Sequence, residues 1–421
     1  MIVPSIDVLG GRTVQLIGGE ELALEAGDPR ALARRFRVAG EIAVVDLDAA
    51  RGEGSNRAAI EELCRLADCR VGGGIRDLET ARSWLDAGAS QIVIGTAAES
   101  ELLRALPPRR VIVALDARDG EVVVDGWRRG TGRGVLERMA ELRGRCGGFL
   151  VTFVEREGRL GGTDLDRVEE LVRAAAPARV AIAGGVTTAE EVAALDRMGA
   201  DAQVGMALYA GELGLAEGLA APLTSDRPDG LWPTVVVDEA GVALGLAWSD
   251  LASLREAVKT GSGVYHSRRR GLWRKGESSG ATQELVRVEL DCDRDALRFT
   301  VRQRGDGFCH RGTRTCWGED RGLARLARRL TRRFTRAPAG SYTRRLFDDP
   351  ELLASKLVEE AGELGEAATA GEVCREAADV LYFTLVRAAA AGVELGAIEA
   401  ELDRRERRVT RRGGDAKEPQ P

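Results

Sequence analysis

Histidine is almost missing from this chain: among 421 residues it occurs twice, at positions 266 and 310. Lysine is nearly as scarce, found only at 259, 275, 356 and 417, so arginine carries almost all of the positive charge. In a composition that avoids these residues, the few that remain are candidates for chemistry. Long apolar runs are lacking too. No stretch approaches the roughly 18 uncharged residues that a membrane span needs, which excludes a membrane protein. The opening MIVPSIDVLGG holds Asp7 inside its apolar run and has no leading cation, so it predicts a strand rather than a signal peptide. An excess of basic charge is absent, and a net charge of -6 argues against a nucleic-acid binder. Seven thinly spread cysteines, an odd number, exclude a disulfide framework and predict a reducing, cytoplasmic setting. What is present, 44% hydrophobic and 30% charged residues, suits packed globular cores. The length predicts two or three domains at about 150 residues each.

Residues 1–222 alternate β-rich runs (IVPSIDV, IAVVDLDAA, CRVGGGI, QIVIGTA, VIVALDA, FLVTFVE, RVAIAGG, AQVGMAL) with amphipathic stretches such as DLETARSWLDAGA. Eight strands alternating with helices predict a (β/α)8 TIM barrel. An internal repeat supports it. Asp7 matches Asp116, 109 residues later, Gly73-Gly74 matches Gly184-Gly185 after 111, and Gly95 matches Gly205 after 110. The barrel therefore reads as two fused half-barrels. PLTSDRPDG, 222–230, reads as a linker. Beyond it lie a hairpin (VVVDEAGVALGLAW), a capped helix (SDLASLREAVKTG) and two antiparallel strands (LVRVELDC, LRFTVRQ), a small α+β unit over 230–318. From 321 to 412 the pattern is helical. RGLARLARRLTRRF spaces Leu323, Leu326, Leu330 and Phe334 along one face, and further helices are expected near 350–370 and 372–390. The whole is a multidomain chain.

Chemistry in such a barrel sits at the C-terminal strand ends. Asp7 and Asp116 end the first and fifth strands, so a ligand between them can be protonated by one carboxyl and deprotonated by the other. Gly73, Gly74, Gly95 and Thr96 in one half, and Gly184, Gly185 and Gly205 in the other, let backbone N–H groups approach phosphate. Two such sets imply a ligand with a phosphate at each end. In the middle region, DCDRD places Asp291, Asp293 and Asp295 along an extended segment around Cys292, and Cys309-His310 and Cys316 follow. Three thiolates leave a fourth zinc position for water, which zinc would turn toward hydroxide; oxygen ligands suit Mg²⁺. Upstream, Arg268, Arg270 and Lys275 cluster about a turn and can bind phosphate. In the helical region Glu360 and Glu363 repeat the spacing of Glu376 and Asp379. Like charges so placed are unfavourable on a bare helix, and they invite a divalent cation.

These motifs resemble three families. PSIDV, VVDLDAA, VGGGIRD, IGTAA, ALDARDG followed by GW, and AGGV resemble the histidine-biosynthesis barrel isomerase, phosphoribosylformimino-aminoimidazole carboxamide ribotide isomerase. That resemblance implies an Amadori rearrangement of an aminoaldose to an aminoketose, with Asp7 as base and Asp116 as acid. Two places depart from the family. Where it has TDI followed by DG, this chain reads Thr152-Phe153-Val154-Glu155-Arg156-Glu157-Gly158, and Gln15 stands where Arg is frequent. Either Glu155 or Glu157 takes over a polar role, or substrate handling there has changed.

VYHSRRRGLWRKGESSG, DCDRD, CH and C resemble phosphoribosyl-AMP cyclohydrolase, with Arg269 for Ser and Ala281 for Asn or His as departures. This implies zinc on Cys292, Cys309 and Cys316, magnesium on Asp291, Asp293 and Asp295, a proton shuttle at His310, and a homodimer in which the partner supplies the Cys292 ligand. SYT at 341–343, KLVEEAGELGEA and REAADVLYF resemble phosphoribosyl-ATP pyrophosphohydrolase, with Phe383 replacing a usual His. This implies Mg²⁺ on Glu360, Glu363, Glu376 and Asp379. Together the resemblances predict a trifunctional, nucleotide-binding enzyme acting on phosphoribosyl nucleotides. The competing expectation is a bifunctional hydrolase fused to a barrel that serves only as scaffold or ligand-binding module.

Overall fold

A computed structural model describes residues 1–124, 126–338 and 340–410. By contact the chain divides into two compact units: one of residues 1–238, 245–305 and the segment from Arg407, the other of 239–244 and 306–406.

In the first unit, eight strands run parallel among the described residues: β1 (Ile2–Leu9), β2 (Glu41–Asp46), β3 (Asp68–Gly72), β4 (Gln91–Ile94), β5 (Val111–Arg118), β6 (Gly148–Phe153), β7 (Arg179–Ala183) and β8 (Ala200–Val204). Each pairs with the next, and β8 returns to β1 with Ile2 opposite Ala202, so the sheet closes into the expected barrel. Closure leaves no strand edge exposed. The strands alternate faces. Ile112, Leu150, Ala181 and Ala183 pack inside the barrel, while Ile6, Val8, Ile42 and Val71 are fully buried facing the other way. The surrounding helices start on short polar caps. Asp28 accepts from Arg30 N, Asp77 from Thr80 N, and Thr188 forms a capping box with Glu191. Two hairpins decorate the mouth, one of Arg12–Ile17 with Glu21–Gly27 after β1, the other of Glu121–Val124 with Arg129–Gly134 after β5.

The same unit carries most of the second sheet, whose strand order is Ala243–Ser249, Trp232–Val237, Leu297–Gln303, Gln283–Leu290. The last two are antiparallel, as expected. The capped helix forms at Leu251–Thr260, with an Asp250–Ser253 capping box and Gly261 closing it in the left-handed region at φ 59°. The DCDRD segment is not extended. It is a tight turn in which Asp291 Oδ1 accepts from Asp295 N and Ala296 N, at 3.0 and 3.1 Å. Arg294 takes a positive φ of 64° there and donates to Asp196 through Nε and Nη2, at 2.9 and 3.0 Å.

The second unit is mainly helical: Gly322–Arg336, Tyr342–Asp348, Pro350–Glu366, Ala370–Ala390 and Leu395–Glu406 among the described residues. Its core is Leu330, Leu346, Leu353, Phe383, Leu385, Val386 and Ala389. The expected stripe on the first helix is only half used. Leu330 is buried and Leu326 packs on the core, but Leu323 and Phe334 are exposed. Phe334 instead meets the ring of Phe347 edge-on at 5.1 Å. No single described helix is long and apolar enough to cross a membrane.

Candidate active sites

Asp7 and Asp116 stand on the interior face at the C-terminal ends of β1 and β5. Ser5 Oγ donates to Asp7 Oδ1 at 3.1 Å, and Tyr209 Oη donates to Ser5 O at 2.9 Å. Burial pushes Asp7 up to about 6, against the smaller opposing effect of the Ser5 hydrogen bond. Burial also raises Asp116, and donors on Trp127 and Thr152 partly offset it. A third carboxyl joins them. Glu157 is pushed up to about 7 by burial first, then by the charges of Asp7 and Asp116. Glu155 is exposed. Of the two glutamates the sequence offers, Glu157 is therefore the one that enters the mouth.

Phe153 settles the sixth strand's departure. Leu150 faces the interior, and alternation puts Thr152 on that face and Phe153 on the helix side, where it is 2% exposed. Its place in the repeat follows from the glycines. Gly73 (φ 97°) backs onto the backbone of Asp46, and Gly184 (φ 90°) backs onto Phe153, whose carbonyl would lie 2.5 Å from an added Cβ. Phe153 thus occupies the position of Asp46. In the first half the Asp46 carboxylate accepts from Ala49 N at 3.1 Å, Asn56 N at 2.8 Å and Asn56 Nδ2 at 2.7 Å. It braces its own loop. In the second half Glu191 does so, accepting from Thr163 N at 2.7 Å and Thr187 N at 2.8 Å. An aspartate is missing at 153, but the bracing has moved from a strand end to the helix Ala189–Arg197.

Gly184, Gly185 and Gly205 line one pocket together with Glu157, Gly158 and Val186. Gln15, 3% exposed, lies against Gly205, its Oε1 2.6 Å from where a Cβ would stand. Gly74 packs on Ala49, while Gly95 and Thr96 open to solvent at the end of β4. Ser5, Thr152, Trp127 and Tyr209 were not anticipated from sequence. Their partners lie across strands or loops, and only ALDARDG followed by GW hinted at one of them.

In the second sheet's region, Arg268 and Arg227 both lie over the ring of Trp248, 5.3 and 4.1 Å from its centroid, and Arg270 lies 5.8 Å from that of Trp273. Lys275 is buried and donates to Ala281 O at 3.4 Å. His266 Nδ1 is 2.7 Å from Asp250 Oδ2, another partnership the sequence did not reveal. Asp291, Asp293 and Asp295 bring one oxygen each within 4.8 Å of one another. Mutual hydrogen bonding and charge raise Asp295, and a cation would relieve that crowding. Exposed Cys292 sits in the same turn.

The other zinc candidates belong to the helical unit. Cys309 N donates to Thr313 O at 3.2 Å and Phe308 N to Arg314 O at 3.0 Å, a loop that leaves His310 exposed. The Cys309 thiol is held below its usual range by the Arg311 backbone N–H first, then by Thr313, with Cys316 also contributing. That direction favours the thiolate form in which cysteine binds metal. In the same unit Glu360, Glu363 and Glu376 bring their oxygens within 4.8 Å. Glu360 is 7% exposed and pairs with Lys356 at 3.1 Å. Glu363 is raised by burial, then by Glu360 and Glu376, so this set too fits a cation. Asp379 is exposed and outside that group.

A family comparison agrees with this arrangement. Residues 1–214, half of the chain, match the histidine biosynthesis protein family, and the chain belongs to it. Residues 245–318 match phosphoribosyl-AMP cyclohydrolase and 323–406 match phosphoribosyl-ATP pyrophosphohydrolase. Among relatives, a histidine biosynthesis trifunctional protein of Neurospora crassa is 54% identical over 208 residues, covering 49% of this chain and 24% of the relative. A histidine biosynthesis bifunctional protein of Schizosaccharomyces pombe is 51% identical over 206 residues, 49% of each chain. An imidazole carboxamide isomerase of Natronomonas pharaonis is 40% identical over 232 residues, 52% of this chain and 97% of the relative. The chain thus spans about half or less of the first two relatives and nearly all of the third.

Proposed function

We propose that the chain is a trifunctional enzyme of histidine biosynthesis. It hydrolyses phosphoribosyl-ATP to phosphoribosyl-AMP and pyrophosphate in residues 321–412, opens the purine ring in 230–318, and isomerises the resulting aminoaldose to the aminoketose in 1–222. The observation that carries the reading is the group of Asp7, Asp116 and Glu157 around one mouth, beside a pocket lined by Gly184, Gly185 and Gly205.

In the barrel, Asp116, whose pKa burial raises, donates a proton to the sugar oxygen. Asp7, with a pKa near neutrality, accepts the carbon-bound proton, the match of pKa to working pH that favours acid–base transfer. Thr152 and Trp127 aim Asp116, and Ser5 aims Asp7. The glycine sets hold the two phosphates. Phe153 faces the helices rather than the interior, which supports a working barrel over the scaffold alternative.

In the cyclohydrolase, Cys309 and Cys316, with Cys292 of the partner subunit, would hold zinc, and Asp291, Asp293 and Asp295 would hold magnesium. When bound, zinc lowers the pKa of a coordinated water. His310 moves a proton, while Arg268, Arg270 and Lys275 hold phosphate. In the pyrophosphohydrolase, Glu360, Glu363 and Glu376 would hold Mg²⁺, with Asp379, outside that group, reaching it only if its side chain turns toward the ion. The chain works in the cytoplasm as a homodimer through the cyclohydrolase region, on small phosphoribosyl nucleotides rather than nucleic acid or membrane. Supplying phosphoribosyl-ATP with Mg²⁺ and Zn²⁺ and identifying each product tests the reading. Accumulation of the aminoaldose with no aminoketose would return the barrel to a scaffold.

A further inference from the structure

The barrel has a second opening, at the N-terminal ends of its strands, on the face away from Asp7 and Asp116. A cavity of about 450 Å³ lies there, within the range of roughly 300–1,000 Å³ typical of small-molecule sites. Five guanidinium groups line it: Arg70, Arg110, Arg179, Arg287 and Arg407. Three carboxylates answer them, Glu41, Asp68 and Asp201.

The carboxylates are shared. Asp201 pairs with Arg70 at 3.3 Å and with Arg179 at 2.7 Å; Asp68 pairs with Arg287 at 3.3 Å and with Arg407 at 2.7 Å. Arg110 has no carboxylate. It donates to Ser90 O at 2.5 Å, Ala89 O at 2.6 Å and Arg407 O at 2.7 Å, which leaves two of a guanidinium's five N–H donors over. Burial and the Arg407 charge hold Arg110 below its ordinary value. Arg287 Nε is enclosed and makes no hydrogen bond, the nearest Glu289 oxygen lying 3.4 Å away. The Met1 ammonium lines the cavity too, pairing with Asp201 at 3.3 Å and with Asp196 at 2.9 Å, so six cations face three carboxylates on the lining.

We propose that this cavity binds a phosphate monoester dianion carried on a small organic body, at a site separate from the reaction centres. Cations outnumber carboxylates on the lining, which favours an anion, and guanidinium forks match phosphate oxygens. The volume exceeds what the phosphate group alone would fill, so the organic part is held too. The walls come from barrel strands, from the strand Gln283–Leu290 and from the segment at Arg407. A bound ligand therefore ties these three segments together.

Ribose 5-phosphate is the probe, with hydrogen–deuterium exchange of the full chain as the readout, because exchange separates this cavity from the glycine loops. The expected result is slowed exchange in peptides covering 89–91, 109–111 and 407–410. Arg110→Gln should lose this protection, and Arg407→Gln, whose side chain is half-exposed, should weaken it about tenfold, the loss of one charge-assisted hydrogen bond. Both should keep whatever protection appears at Gly184, Gly185 and Gly205. Unchanged exchange in the three segments overturns the proposal, as does equal protection in both variants. Inorganic phosphate giving the same protection at the same concentration overturns the organic part. Failure of the barrel chemistry would show separately, as no protection at the glycine loops.

Discussion

Glu157 carries the sharpest test at the level of single residues, because its charge bears on activity and stability with opposite signs. Asp7 must lose its proton to act as base, so isomerase activity should rise with pH through about 6. Glu157 has a folded-state pKa raised to about 7 from 4.5, so folding favours its protonated form. That stability is fully present below the unfolded pKa and is lost as pH rises through about 7. Glu157→Gln should therefore raise the barrel's stability at pH 8 by about 1–3 kcal/mol, with no gain below pH 4. Denaturant titrations at the two pH values check it. The same variant should slow isomerisation less than Asp7→Asn, which removes a transfer worth about 10²–10⁴-fold; initial rates of aminoketose formation give the order. The pair Asp7 and Asp116 was legible in sequence because the half-barrel repeat places one against the other. Their helpers were not, since Ser5, Thr152 and Trp127 matter only through contacts that folding creates.

At the level of elements, the long helices bring carboxylates together that are distant in the chain. Glu360 and Glu363 come from Pro350–Glu366, Glu376 from Ala370–Ala390. Glu360→Gln should stop pyrophosphate release while leaving turnover of phosphoribosyl-AMP within about twofold, since exposed or local substitutions away from a second site act locally. Equal loss of both activities in a folded variant would deny separate sites. The Cys309 loop predicts a parallel result. Cys309→Ser should lose zinc by elemental analysis and lose ring opening, yet still release pyrophosphate. Helical spacing pointed to Glu360, Glu363 and Glu376, which the fold brings together, but also to Asp379, which lies outside that group. The DCDRD segment misled, because alternation of Asp suggests a strand, whereas Asp291 spends its acceptors on Asp295 and Ala296 and bends the chain. Leu323 and Phe334 misled in another way: a stripe fixes which residues share a face, not how much of it a neighbour covers.

For the whole molecule, the barrel is proposed to work through Asp7, Asp116 and its glycine loops, and both hydrolases through bound metal. A chelator should abolish pyrophosphate release and ring opening while leaving isomerisation of added aminoaldose unchanged; Zn²⁺ and Mg²⁺ should restore the first two. Product analysis by chromatography reads all three. The pairing of β8 with β1, Ile2 against Ala202, also sets a clock for synthesis. Synthesis at about 5–20 residues per second separates those two strands by roughly 10–40 seconds on the ribosome. Through that interval the opening strand waits for its last neighbour, with Ile2, Val3 and Ile6 in need of cover. The hydrolase regions emerge afterwards. Slow codons placed just after residue 204 would give the barrel time to seal before later sequence competes for its open edge.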